Sequence, residues 1–343
     1  MVKKMFMLLA AVVVFGGLLA TALHGQTIPL CDIIFQVWPG NPVYPGESCT
    51  DIPFNFNQEC WVGTKACKAI CWDCLLGTPS GGMPINLATG DVFITQSDLS
   101  IPGLGGGLSL SRTWHSQFPF GENIPTNGMF GGNWRSNYEE NIFVGDNGLV
   151  AYERGTGGIW TLGLDGLTWP ASYAMIAPAN GNVSLGYDGN YWTLTFNTGE
   201  RRIFSVPTGR LLSMSDRNGN TTQLTYDASS RLTTVTDPAS RHLYFSYASP
   251  TSNLVVGVSS DAGISLSYAY DGFGRLTTIT KPDLTTISFQ YDSNSKISAV
   301  LDTNGNVLEA HTYDSEHRGL TSARAGGVDA ITITYPFLVL GLP

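Results

Sequence analysis

Apolar and polar residues alternate with a period of two through the last third of this 343-residue chain. Ile264, Leu266, Tyr268 and Tyr270 form one such run, and Leu243, Phe245 and Tyr247 another. Ile287, Phe289 and Tyr291, and Ile331, Ile333 and Tyr335, give two more, with Ser and Thr in most of the gaps. Successive side chains of a strand point to opposite sides, so this pattern predicts strands with one buried face. The aromatic residue that closes each run recurs. Phe204, Tyr226, Tyr247, Tyr270, Tyr291, Tyr313 and Tyr335 are 22, 21, 23, 21, 22 and 22 residues apart. A period in this range is one small supersecondary unit copied along the chain, each copy stable only when stacked on its neighbours.

The residues after each Tyr define the unit. Asp follows at 227, 271, 292 and 314, and a cation stands four residues beyond it, as Arg231, Arg275, Lys296 and Arg318. The residues between are turn formers, so the chain turns just after each Tyr-Asp. A second strand comes next, as in Arg231-Leu-Thr-Thr-Val-Thr-Asp237, but its apolar residues lie three apart: Leu211/Met214, Leu232/Val235, Leu276/Ile279 and Ile297/Val300. Either both faces are partly buried or a bulge shifts the register. A second turn carries Asp216-Arg-Asn-Gly219 or Asp302-Thr-Asn-Gly305, the Asn-Gly pair suiting positive backbone angles. Two strands of about seven residues and two turns of about four fill the period, each strand being about 23 Å long.

Tyr-Asp, three turn residues, Arg-Leu and an Asp-x-x-Gly turn, recurring in phase over residues 200 to 335, resemble the YD repeat of the RHS family. A separate resemblance lies upstream, where RHS proteins place a leading β region before their repeats. Here it reads Pro84-Ile-Asn-Leu-Ala-Thr-Gly-Asp-Val92, Asp98-Leu-Ser-Ile-Pro-Gly103, Leu108-Ser-Leu-Ser-Arg112-Thr-Trp114 and Phe130-Gly-Gly-Asn-Trp134-Arg-Ser-Asn-Tyr138-Glu139. The resemblance implies an all-β fold of stacked β-hairpins in an open spiral sheet. In full-length relatives this sheet closes into a hollow shell around a C-terminal toxin domain. Such shells need more repeats than this chain carries, and the expected Asp after Tyr335 is Pro336. The sequence therefore reads as the opening part of a shell, from a truncated or frame-shifted gene or an orphan fragment.

Composition agrees with an all-β class: 40 Gly, 13% charged residues and a net charge of −9. An acidic chain without a basic run is a poor partner for phosphate backbones, which excludes nucleic acid as the expected ligand. Lys3-Lys4, an uncharged stretch from Met5 to Leu23 and Ala20-Thr-Ala22 read as a signal peptide over 1–25. Left uncleaved, the stretch is just long enough to anchor in a membrane. Either way the chain is expected to be secreted or displayed at the cell surface. Cys31, Cys49, Cys60, Cys67, Cys71 and Cys74 all fall in the next segment, 26–80, which reads as a disulfide-stapled module preceding a leading β region over 81–200 and YD repeats over 201–343. The rival reading of that cluster is a zinc or redox site built on Cys60, Cys67, Cys71 and Cys74.

Reactive motifs are missing. There is no Gly-x-Ser-x-Gly, His-Glu-x-x-His or phosphate loop, and the five histidines show no ligand spacing. Repeated at one phase in every copy, the Tyr-Asp pairs read as architecture rather than as glycosidase acids. No catalytic, cofactor or metal residue is assigned. The candidates for a binding site are Arg112, Trp114, Trp134, Arg135 and Tyr138, because Arg beside Trp can stack on sugars or hold carboxylates. Three functions follow in order: a non-catalytic shell protein, a surface module binding cell-wall glycan or a surface protein, and, distantly, a hydrolase. An unpaired last strand also allows self-association by edge pairing.

Overall fold

The computed structural model describes residues 80–81, 85–86, 89–117, 127–145, 148–166, 169–177 and 181–335. The signal segment, all six cysteines and the stretch after Tyr335 lie outside the described residues. Regular structure among the described residues is β, with two three-residue 3₁₀ turns beside it. Nineteen strands, from Asn141–Val144 to Ile331–Thr332, belong to a long antiparallel sheet. The chain divides into two compact units. Among the described residues, one contains those within 137–224, the other those within 80–117, 127–136 and 225–335.

In the second unit the alternation holds in the inner copies, whereas the last run stops as a strand at Ile331–Thr332, leaving Ile333 and Tyr335 beyond it and half-buried. Along Ser265–Tyr270, Leu266 and Tyr268 are buried at 1% and 4% exposure, while Ser265, Ser267 and Ala269 face out. The three-residue spacing on the second strand is settled as a bulge. Ala269 pairs with Thr278 but Tyr270 pairs with Leu276, leaving Thr277 as the extra residue. The same slip leaves Ser298 between Tyr291–Ile297 and Gln290–Ala299, and it recurs where Tyr247 meets Val255 and where Tyr313 meets Gly319. An extra residue lets positions three apart share one face, so Leu276 and Ile279 are both buried. The extra residue is Val256 or Leu320 in two of these bulges, but where Ser or Thr stands at this phase its hydroxyl bonds back across the hairpin. Thr277 donates its hydroxyl to the Ala269 carbonyl at 3.1 Å, Thr233 to Thr225 at 3.0 Å and Ser298 to Gln290 at 3.3 Å.

Each Asp folds its own turn. Asp271 Oδ1 accepts the amides of Phe273 and Arg275 at 2.9 and 3.0 Å, and Oδ2 accepts Arg275 Nε at 2.7 Å. Asp227 and Asp314 repeat this with Arg231 and Arg318, and Asp237 does so with Arg241 at the other end of a hairpin. The residue before the cation is left-handed, with φ of 60° at Ser230, 74° at Gly274, 61° at Ser295 and 65° at His317. In the Asn-Gly turns Gly219 and Gly305 take positive φ and the Asn residues do not. Asn218 and Asn304 instead donate their amides to Asp216 and Asp302, both at 2.8 Å.

The first unit is an antiparallel run of strands in sequence order, from Asn141–Val144 through Leu211–Ser215. Its core gathers on Tyr152, which meets Trp160, Phe204 and Phe196 edge-on at centroid distances of 5.8, 5.9 and 6.5 Å. Offset and edge contacts of this kind add stability beyond area burial alone.

Candidate functional site

The repeated Tyr and cation tie each copy to the next. Tyr270 donates its hydroxyl to the carbonyl of Val255, Tyr291 to Leu276, Tyr313 to Ile297 and Tyr335 to Gly319, at 2.7 to 2.8 Å. The acceptor is always the residue opposite the preceding Tyr in the bulge, so an otherwise spare carbonyl is satisfied by the following repeat. The Arg of one copy covers the ring of the next: Arg231 over Tyr247 at 4.5 Å, Arg275 over Tyr291 at 4.8 Å and Arg318 over Tyr335 at 4.1 Å. Burial pushes the Tyr291 and Tyr335 hydroxyls up to about 12, so they stay protonated donors. The chemistry that recurs is thereby used in holding repeats together.

Within the same unit, the leading region lies on the buried face of the repeats. Phe93–Ile101, Leu108–His115 and Trp134–Ser136 form a three-stranded antiparallel sheet. Arg112 sits in it with no exposed surface, its guanidinium 2.5 and 2.9 Å from the Asp98 carboxylate and 4.5 Å from the Trp134 ring. Tyr268, from a repeat, donates to the same carboxylate at 2.9 Å, and its ring meets Phe130 at 4.8 Å. Trp134 in turn meets Phe289 edge-on at 5.2 Å. Burial alone would lower the Arg112 pKa, but Asp98 outweighs it and the pKa lies above the ordinary value. The Tyr268 hydroxyl is raised by burial and by Asp98, which keeps its proton in place to bond the carboxylate.

A second buried group is centred on Asp91. His115 Nδ1 lies 2.6 Å from Asp91 Oδ2, while Ser116 donates its hydroxyl to Asp91 Oδ1 at 3.2 Å and accepts the Val92 amide at 2.9 Å. Ser, His and Asp suggest a hydrolytic trio, but the hydroxyl is bonded to the acid rather than to the imidazole, so no base activates it. Lys296, the cation that replaces Arg in its repeat, donates to the Ser116 carbonyl. Burial lowers its pKa, with Asp91 and Asp292 opposing. Gly319 marks a further departure. The equivalent position in earlier copies is Leu232, Val255, Leu276 or Ile297, but at Gly319 an added Cβ would lie 2.6 Å from Val92 and 2.9 Å from Ile85. The leading region fills the space that the missing side chain leaves, and the Gly319 amide donates to the Gly90 carbonyl at 2.7 Å.

The first unit has its own buried acid. Tyr152 donates to Glu140 at 2.8 Å, and Arg202 Nε lies 3.3 Å from the same carboxylate. Burial raises the Glu140 pKa, with Arg202 and Tyr152 pulling the other way. Among the described residues it is a core acid pinned by Tyr152 and Arg202.

The candidate residues are therefore divided between the units. Arg112, Trp114 and Trp134 have no exposed surface and Arg135 has 3%, all in the second unit, while Tyr138, also at 3%, lies in the first. Trp114 and Trp134 are cross-strand partners, and Arg135 donates to the Trp134 carbonyl at 2.8 Å. Sequence reading did not single out Asp98, Asp91 or Gly319. The phase break at Gly319 was legible; the partners of the two acids were not, being fixed by contacts 170 residues away in the case of Asp98 and Tyr268. Among the described residues, no group of three or more His, Cys, Asp or Glu converges as a metal site, and no helix is long and apolar enough to cross a membrane.

Bulged hairpins locked copy to copy by a tyrosine hydroxyl and a stacked arginine define a β-repeat protein. Residues 207–242 and 251–286 match the RHS repeat family model, and residues 82–160 match a domain of unknown function, DUF6531. The chain carries RHS, or YD, repeats over these residues, behind the leading domain that matches at 82–160. It is similar to the tRNA nuclease WapA of Bacillus subtilis (strain 168), 29% identical over 192 residues, which is 55% of this chain and 7% of that protein. The tRNA3(Ser)-specific nuclease WapA of Bacillus spizizenii matches to the same extent, so the chain spans about 7% of the length of these relatives. Among solved structures, that of TcdB2-TccC3 is 16% identical, with a TM-score of 0.28, covering 69% of this chain and 12% of the other. That of TcdB2-TccC3-Cdc42 is 14% identical, with a TM-score of 0.28, covering 51% and 11%.

Proposed function

We propose that this chain is a non-catalytic, exported wall segment of an RHS-type shell, whose partner is a toxin domain carried C-terminally in longer relatives. The observation that carries the reading is the repeat lock. Each Tyr and each Asp-cation pair is engaged in joining or folding copies, which is what a self-extending wall requires and leaves those side chains no substrate to act on. The nuclease names of the relatives belong to proteins more than ten times the length of the matched segment. They motivate the toxin partner without assigning a nuclease to these residues. A surface module binding cell-wall glycan or a surface protein is the competing reading. It draws less support because Arg112, Trp114 and Trp134 are buried.

The two readings separate in one experiment on the producing cells. Antibody against residues 200–335 is used to recover the native product, which is treated with protease and measured by mass spectrometry. The shell reading expects a product extending beyond these residues whose distal domain resists cleavage until the sheet is unfolded. Recovery of this chain alone, with saturable binding to purified cell-wall glycan, would replace it.

A further inference from the structure

The buried row of the repeats is interrupted at one hairpin. Cross-strand pairs on that face are Phe245 with Val258, Tyr268 with Ile279 and Phe289 with Val300. The same phase in the next hairpin pairs His311 with Ser322, at 3% and 1% exposure. Two residues earlier on the strand, where other copies carry Leu243, Leu266 or Ile287, stands Glu309. Three apolar positions have become polar together, and they adjoin. None of the buried polar atoms Glu309 Oε2, His311 Nδ1, His311 Nε2 and Ser322 Oγ has a hydrogen-bond partner. Buried polar groups are almost always satisfied, so such a group of orphans points to an occupant.

We propose that Glu309, His311 and Ser322 bind a divalent cation of the zinc class. The two strong donors are the i and i+2 residues of one strand, which places them on one face. His311 Nε2 lies 3.7 Å from Glu309 Oε2, too far for a hydrogen bond. A tetrahedral ion with bonds of about 2.0–2.2 Å holds its donors about 3.3–3.5 Å apart, so a small rotamer adjustment brings both into range. A neutral imidazole supplies one unprotonated nitrogen and the carboxylate supplies oxygen lone pairs and one negative charge, the complement of a borderline cation. Ser322 stands directly across from His311 as a weak third donor, and water completes the shell. Arg324, opposite Glu309 in register, is exposed and reaches Asp329 at 3.4 Å. With two strong protein donors the site is weak and exchangeable, unlike a four-ligand structural zinc site.

The test titrates zinc chloride into the full chain after its thiols are blocked, which removes the six cysteines as competing ligands. One zinc per chain is expected, lost in His311→Phe and weakened at least about tenfold in Glu309→Gln. Ser322→His, which supplies a second imidazole, is expected to tighten binding. His311→Phe installs the residue that the preceding hairpin already carries, so circular dichroism and a melting curve confirm that the fold persists. No saturable binding to the native chain, or equal affinity in His311→Phe, overturns the proposal and leaves the hairpin with a hydrated polar pair.

Discussion

The bond between Asp98 and Arg112 offers the sharpest measurement of what seats the leading region on the repeats. Among the described residues, Asp98 is the carboxylate paired with the Arg112 guanidinium, and the two side chains are 3% and 0% exposed. Asp98→Ala strands a guanidinium without solvent or partner, which costs about 3–5 kcal/mol. Arg112→Met strands the carboxylate, but Tyr268 still donates to it at 2.9 Å, so the expected cost is at the lower end of that range. Tyr268→Phe removes one charge-assisted donor, for about 1.5–3 kcal/mol. The double change Asp98→Leu with Arg112→Met removes both charges and replaces them with apolar volume, so it is expected to cost less than either single change. Guanidinium chloride unfolding followed by tryptophan emission supplies the cycle, since the Trp134 ring is 4.5 Å from the Arg112 charge. Hydrogen exchange on peptides covering 93–115 and 265–280 assigns the loss to this unit. A cost below about 1 kcal/mol for Asp98→Ala, or single-variant costs that simply add in the double variant, would refute the reasoning.

Other outcomes follow from the repeat geometry. Tyr291→Phe leaves the Leu276 carbonyl without its 2.7 Å donor and is expected to lower the stability of the second unit by about 1–2 kcal/mol in chemical denaturation. Gly319→Val installs a side chain that another copy carries at this phase, yet it is expected to destabilise by about 1–3 kcal/mol because Ile85 and Val92 already fill the space. A melting temperature at or above that of the native chain would count against the seating. Gly274→Ala forces a side chain into φ of 74° and is expected to cost about 1–2 kcal/mol, read from the unfolding midpoint. Acid acts with opposite sign on the turn carboxylates of the second unit and on Glu140 of the first, although the first unit's turn acids Asp188 and Asp216 are also lowered. The turn carboxylates Asp237 and Asp271 have lowered pKa values; despite burial, which raises them, their amide and Arg bonds prevail. Their contribution is present above the ordinary carboxylate range and is lost as pH falls through the lowered values. Glu140 is raised, so its contribution is full at low pH and is lost as pH rises through its folded value. Glu140→Gln is thus expected to be the more stable chain at neutral pH, with the difference vanishing on acidification. Hydrogen exchange resolved by unit and measured against pH checks both signs.

Much of the fold can be read from the chain because its determinants are local. Period-two alternation, a Tyr-Asp pair and a cation four residues beyond the Asp all act within one hairpin, so each copy shows its own strand, turn and buried face. The bulge was half legible: apolar residues three apart required either a bulge or two buried faces, and the pairing of Tyr270 with Leu276 decided it. Binding residues were read less directly. Arg beside Trp has the same sequence signature at a ligand platform as in a packed interior, and burial is a property of what arrives from elsewhere in the chain. Asp98 meets Tyr268 from 170 positions away, and Gly319 is explained by Ile85 and Val92. Residue identity and spacing determined the repeat and its turns, because those rest on backbone geometry and near-neighbour hydrogen bonds. Only the tertiary structure decided which charges are buried, what seats the leading region and which polar side chains stand without partners, because these depend on contacts between segments that the sequence keeps far apart.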